Sequence, residues 1–391
     1  MRLRPPPIIF ITAAAAVLAA CSSLQGPAQP AGAPQGGVPV SGTGPGGARA
    51  SQADAAAAAV ARETTVDAQM QQVLDALQAL GARPVHSLSV EDARRGPTPA
   101  DAVREVLRKQ GKSTSPPAVA RVVSGNFQGP AGPIPARIYW PQSAMTNPAG
   151  TALPVILYIH GGGWVIADLD TYDATPRALA NATNAIVVST HYRQAPEHKF
   201  PAAHEDTWAA YQWVVANAQR FGADPKRVAV AGESAGANMA AAIALRARDE
   251  HSQAPVHQLL VYPVVDAAVG SPSEQVFQRA VPLATPDLKW FYEKYLRRPD
   301  DANNKYLAIS QADVRGVAPA TVITAQIDPL RSEGEQYAER LAAAGVPVRL
   351  RNFDGVTHEF FGMGAVVDKA REAVEFSAIG LQESLQGAAP R

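Results

Sequence analysis

Cysteine is almost missing from this chain: Cys21 is the single thiol in 391 residues, so no disulfide can form within it. An excess of charge of one sign is missing as well. Lys+Arg and Asp+Glu number 35 each, the formal net charge is zero, and no block of like charges stands out. Binding to nucleic acid normally demands a basic face, so no nucleic-acid partner is expected. No internal repeat is visible. What is present is apolar content, 47% of the residues, enough for a substantial core. The length suits one large domain with insertions, or two ordinary ones.

The lone cysteine is informative through its position. Arg2 and Arg4 form a short basic head, an apolar stretch runs from Ile8 to Ala20, and Leu18-Ala19-Ala20 leads directly into Cys21. The stretch is short for a membrane span and fits the core of a signal peptide. It resembles a bacterial lipoprotein signal, whose final cysteine is lipidated and becomes the mature N-terminus. That resemblance implies a signal peptide over residues 1–20 and membrane attachment through a lipidated Cys21. It also implies a place in the bacterial cell envelope, with the folded domain outside the cytoplasm. By the better-known sorting rule for such lipoproteins, Ser22 after the cysteine would favour the outer membrane. An ordinary secretory signal, or a hydrophobic anchor, with an incidental cysteine is the alternative. Residues 21–55 are rich in Gly, Pro, Ala, Gln and Ser with almost no large apolar side chain, so they read as a flexible tether. The folded domain is expected over 56–391.

Helical spacing begins with Val66, Met70, Val73, Leu74, Leu77 and Leu80, and Gly81 stands where a helix stops. A second helix is predicted from Pro99 to Lys109. The period then changes. Strands are predicted over Val119–Ser124, Ile134–Trp140, Leu153–Ile159, Ala185–Ser189, Arg227–Ala231, Gln258–Tyr262 and Thr321–Ala325. Helical stretches fall between several of them, among them Ala202–Arg220 and Glu333–Ala344. Apolar strands alternating with helices indicate an α/β fold with a mostly parallel sheet. The segment from about Ala267 to Val314 breaks the alternation and reads as an insertion.

Gly232-Glu233-Ser234-Ala235-Gly236 follows one of these strands directly and precedes a helix over Ala237–Arg248. A nucleophilic serine on such a strand-to-helix turn needs small flanking residues, and the helix N-terminus favours negative charge developing nearby. His160-Gly161-Gly162-Gly163-Trp164 closes the strand Leu153–Ile159. Two amides among Gly161, Gly162 and Gly163, together with that of Ala235, are candidates for an oxyanion hole. No Lys-Ser/Thr pair follows these glycines, which argues against a phosphate loop.

A serine nucleophile needs a base, and the base needs a group that holds its tautomer. Asp328 and His358 follow Ser234 in the order nucleophile, acid, histidine. Asp354 is a rival acid, but it stands only four residues before His358 in a turn-like Asp-Gly. His191, His198 and His204 precede the serine, His251 and His257 read as bracketing a surface turn, and His86 belongs to the N-terminal part.

With these residues in place the chain resembles the hormone-sensitive-lipase-like family of esterases. The shared features are His160-Gly-Gly-Gly163, the Ser234 pentapeptide, Asp328-Pro-Leu330, His358-Glu-Phe360, Tyr192-Arg-Gln-Ala-Pro-Glu197 and Phe200-Pro-Ala-Ala203. The resemblance runs from about Pro154 to Met363. It implies an α/β-hydrolase fold with a mostly parallel sheet and a helical cap from about 60–115 and 267–314. It further implies hydrolysis of short- to medium-chain acyl esters through an acyl-enzyme on Ser234, with no metal or organic cofactor. Val66–Leu80 and Asp287–Leu296 would supply acyl-binding walls. A ligand-binding protein on a retired hydrolase fold, and an amidase or lipase with the same residues, are the alternatives. Four positions depart from the family pattern: Glu233 for Asp, His191 for Asp, Gln194 for Leu and Glu359 for Gly. Glu359 and His191 are expected to alter pocket polarity or histidine basicity.

Overall fold

In the computed structural model of the protein, residues 64–147 and 151–386 are described, all within the unit Asp54–Arg391. The signal segment, Cys21 and the tether lie outside the described residues.

An eight-stranded sheet organises the chain, in the order β1-β2-β4-β3-β5-β6-β7-β8. The strands are β1 (Arg121–Gly129), β2 (Gly132–Trp140), β3 (Leu153–Ile159), β4 (Ile186–Thr190), β5 (Ala223–Glu233), β6 (Gln258–Val261), β7 (Ala320–Ile327) and β8 (Val348–Thr357). From β4 to β8 every pairing is parallel, while β2 runs antiparallel to both of its neighbours. Helices flank this sheet: α1 (Ala68–Ala79), α2 (Val90–Arg95), α3 (Pro99–Lys109), α4 (Ala174–Thr183), α5 (Ala202–Asn217), α6 (Ala235–Asp249), α7 (Pro272–Val276), α8 (Thr285–Tyr295), α9 (Arg331–Ala343) and α10 (Asp368–Leu385).

The two faces of the sheet make two cores. Val155, Leu157 and Ile159 of β3 point to one side, where they join α5, α6 and α9. Ile156 and Tyr158 point to the other, with α1, α3, α4 and α10. Because both faces are covered, the central strands are continuously apolar rather than alternating. The apolar stripe of α1 is mostly core, with Met70, Val73, Ala76 and Leu77 all buried.

Three sequence expectations are corrected. The first strand lies at Arg121–Gly129 rather than starting at Val119, and forms a hairpin with β2. The edge strand β8 was not anticipated, because Leu350, Arg351 and Asp354 are exposed and the half-buried Arg349 adds a further charge, so no apolar run marks it. His257 is not at the surface. It is buried between Thr321 Oγ1 (2.9 Å) and Ser384 Oγ (3.0 Å), and burial drives it down to about 4, so it stays neutral.

The insertion between β6 and β7 holds α7 and α8. Asp287 fixes the start of α8 by accepting the Ala284 N–H at 2.8 Å. The same carboxylate accepts the His86 N–H at 2.9 Å and lies 2.7 Å from His86 Nδ1, tying the N-terminal segment to the insertion.

Candidate active site

Ser234 stands between β5 and α6 with φ 57° and ψ −121°. That conformation costs an L residue about 1–3 kcal/mol and persists only when its surroundings enforce it. Here the Ser234 N–H donates to Val261 O at 2.9 Å, while Ser234 O accepts from Ala237 N and Asn238 N at 3.0 and 3.1 Å. The flanking glycines are demanded by close approach. A Cβ on Gly232 would lie 2.2 Å from Gly236 O, and one on Gly236 would lie 2.1 Å from Ile159 O. Any larger residue at either position would push the turn away from the sheet.

Asp328 leaves the end of β7 and His358 the end of β8, adjacent parallel strands, so both side chains arrive at the same edge as Ser234. His358 Nδ1 is 2.7 Å from Asp328 Oδ2, and Nε2 is 3.1 Å from Ser234 Oγ. Asp328 is 0% exposed, and its other oxygen accepts the Leu330 N–H at 2.9 Å. With Nδ1–H donated to that carboxylate, Nε2 is free to accept the Ser234 hydroxyl proton. Burial works against a charge on His358, but the Asp328 carboxylate outweighs it and holds the imidazole above its usual value. The rival Asp354 is exposed and accepts from Asn352 Nδ2 at 3.0 Å, away from this series.

The glycine loop after β3 passes beside Ser234. Gly162 and Gly163 have φ of 96° and 57°. A side chain on Gly163 would collide with Phe291 of α8, which packs on it. Among the described residues the N–H groups of Gly162, Gly163 and Ala235 make no hydrogen bond within a turn, loop or cap. They remain as donors. His160 does not join the proton chemistry: burial, then His191, pull it down to about 3. Its Nδ1–H donates to Gly161 O at 2.9 Å, and its Nε2 lies 3.0 Å from His191 Nδ1. Gln194 braces the far side of the loop, donating to Ile166 O and Ala167 O at 2.8 Å each.

Two further acids lie close by. Glu233 is buried and takes hydroxyl hydrogen bonds from Tyr158 (2.5 Å) and Tyr262. Burial and then the Glu359 carboxyl push it up to about 7. Glu359 follows His358 in the left-handed region, φ 71° and ψ 3°, which disfavours an L residue by roughly 1–2 kcal/mol. Its neighbour Tyr172, which the sequence did not single out, donates to Glu359 Oε1 at 2.6 Å.

Above these groups opens a cavity of about 1200 Å³, lined from α1 by Leu74 and Leu77 and from the insertion by Leu283, Leu288, Phe291 and Tyr292. Ser234, His358, Glu359, Gly162 and Gly163 share its wall. Arg83, Asp75 and Gln78 add polar groups farther out. Among the described residues no cluster of three or more His, Cys, Asp or Glu side chains is placed to hold a metal ion.

A serine, a histidine and a carboxylate hydrogen-bonded in series at the edge of a parallel sheet define a hydrolase-type site. The chain belongs to the alpha/beta hydrolase fold family, whose profile matches residues 156–362, and within it to the hormone-sensitive-lipase-like esterases. It is 40% identical over 316 residues to the esterase LipI of Mycobacterium tuberculosis, covering 80% of this chain and 94% of that protein. It is 34% identical over 304 residues to an ethyl acetate hydrolase of Pseudomonas putida, covering 77% and 92%. A hyperthermophilic esterase from Pyrobaculum calidifontis superimposes with a TM-score of 0.72 at 36% identity, over 82% of this chain and 98% of that one.

Proposed function

We propose that this carboxylic ester hydrolase works by two-step acyl transfer on Ser234 and takes short- to medium-chain acyl esters. The carrying observation is the unbroken series Asp328–His358–Ser234 at the base of the cavity. Ser234 Oγ attacks the ester carbonyl carbon while His358 Nε2 takes its proton. Asp328 keeps the imidazole in the tautomer that leaves Nε2 free and stabilises the imidazolium formed. Two amides among Gly161, Gly162 and Gly163, with that of Ala235, receive the developing oxyanion. His358 then protonates the leaving alcohol, and water completes the cycle.

The apolar residues of α1 and of the insertion would wall the acyl group, while the polar outer lining suits a small ester. The ethyl acetate hydrolase among the relatives supports a short acyl chain. From residues 1–22 alone we also propose that a lipidated Cys21 attaches the protein to a bacterial envelope membrane, the outer one favoured. Ser234→Ala should lower kcat/KM on short-chain nitrophenyl esters by on the order of 10³-fold or more. Full activity in that variant would overturn the assignment. An acyl chain-length series on the same leaving group tests the substrate class.

A further inference from the structure

The two-step reaction leaves one side chain beside His358 without a task. Glu359 Oε1 lies 3.8 Å from His358 Nε2, the nitrogen that faces Ser234. It is not a loose surface carboxylate. Tyr172 holds that same oxygen at 2.6 Å. Tyr172 in turn is wedged against the glycine loop, since a Cβ on Gly161 would lie 2.4 Å from its hydroxyl and 3.2 Å from Ser234 Cβ. The carboxyl is therefore fixed on the cavity wall between the histidine and the loop. Its backbone is left-handed, φ 71°, where glycine would sit without strain. Fold stability thus gives no reason for a glutamate here.

At that spacing a water has no room between the two atoms, but it can sit beside them on the cavity side. Two hydrogen bonds of about 2.8 Å each can bridge anything up to roughly 5.6 Å, so a single water can touch both Nε2 and Oε1. We propose that Glu359 is a positioning residue for the water that attacks the acyl-enzyme, and that it favours water over alcohols as acyl acceptor. This rests on the acyl-enzyme reading above. The water oxygen bonds to the acyl carbonyl carbon as one of its protons passes to His358 Nε2. Its second proton points to Glu359 Oε1 and stays on the new hydroxyl. The bond from the acyl carbon to Ser234 Oγ then breaks, His358 returns its proton to Oγ, and a carboxylic acid leaves. An alcohol has only one O–H proton, which it must give to His358, so it has none left for Glu359. The discrimination follows from that count.

The test is the partition of the acyl-enzyme between water and added methanol, read as the ratio of methyl ester to free acid. Two acetate esters with different leaving groups are compared in the full-length protein and in Glu359→Gly, Glu359→Gln and Tyr172→Phe. Glu359→Gly relieves the backbone and keeps the fold, and should raise the ester-to-acid ratio by roughly tenfold, the worth of one hydrogen bond. Glu359→Gln keeps an oxygen acceptor and should fall between the parent and Glu359→Gly. Tyr172→Phe frees the carboxyl and should shift the ratio in the same direction. A merely structural role would slow acylation and deacylation together and leave the ratio alone. An unchanged ratio in Glu359→Gly, with both leaving groups still giving one common value, overturns the role of Glu359 only. Ratios that differ between leaving groups in the parent enzyme overturn the shared acyl-enzyme, and this inference with it.

Discussion

Glu233 shows how a single residue beside the nucleophile couples the site to pH. It is walled in by Tyr158 and Tyr262, and it faces Glu359. Burial first, and then the Glu359 carboxyl, push it up to about 7 from an ordinary 4.5. Between those two values the native protein holds a proton that the unfolded chain has released. Its contribution to stability is therefore complete below the lower value and is lost as pH rises to the upper one. Burial holds His160, His204 and His257 at about 3 to 4, and these neutral histidines add stability as pH rises over much of the same window. The test is therefore a difference: the unfolding midpoint of Glu233→Gln minus that of the parent should grow as pH rises through that window. Glu333 and Glu359 are raised in the same direction by burial, so some slope remains in the variant. An equal slope in parent and variant would remove Glu233 from the account. Among single residues, Ser234, Asp328, His358 and the glycines were legible because local chain geometry constrains them. The Glu359–Tyr172 contact was not, since it joins positions 187 residues apart.

Among the elements, α2 is short and has no buried residue of its own, yet it carries a clamp. Arg94 Nε donates to Val165 O at 2.9 Å, and its NH2 nitrogen donates to Ala195 O at 2.8 Å. Both guanidinium ends also meet Glu197, at 2.7 Å each. Val165 directly follows Trp164 on the glycine loop, so the clamp ties the N-terminal helices to the candidate oxyanion donors. The side chain is 30% exposed, so screening reduces the ion pair with Glu197, and the carbonyl bonds matter more. Arg94→Ala should cost about 1–3 kcal/mol in urea unfolding and raise KM, because two carbonyls lose their partner and the cavity wall loosens. A variant with parental KM and parental midpoint would show the clamp to be idle. Other elements escaped the sequence for physical reasons. The charged edge of β8 hides its strand character. In α10 small residues such as Ala370, Ala373 and Ala378 carry much of the buried face, so its periodicity is faint.

For the whole molecule the prediction concerns attachment. No helix among the described residues is long and apolar enough to cross a membrane. The proposed attachment is through Cys21, outside those residues. Expressed in a bacterial host, the parent chain should sediment with membranes and incorporate labelled fatty acid. Cys21→Ala should lose the label. Label retained in that variant would place the lipid elsewhere, and an unlabelled parent would dismiss the anchor. The groups proposed for catalysis all belong to the unit Asp54–Arg391, so membrane release should leave specific activity on soluble esters unchanged.

By itself the sequence determined the α/β alternation, the strand-to-helix turn at Ser234 and the order of serine, acid and histidine. Each of these is written in short runs, where apolar period and glycine placement act on neighbouring residues. Tertiary structure alone decided what surrounds them. It brought Asp328 and His358 to one sheet edge through adjacent strands and laid α8 over Gly163. It also sealed Glu233 between two tyrosines and set Glu359 beside the histidine nitrogen that faces Ser234. Those contacts depend on strand order and on the packing of distant segments, and a linear pattern records neither.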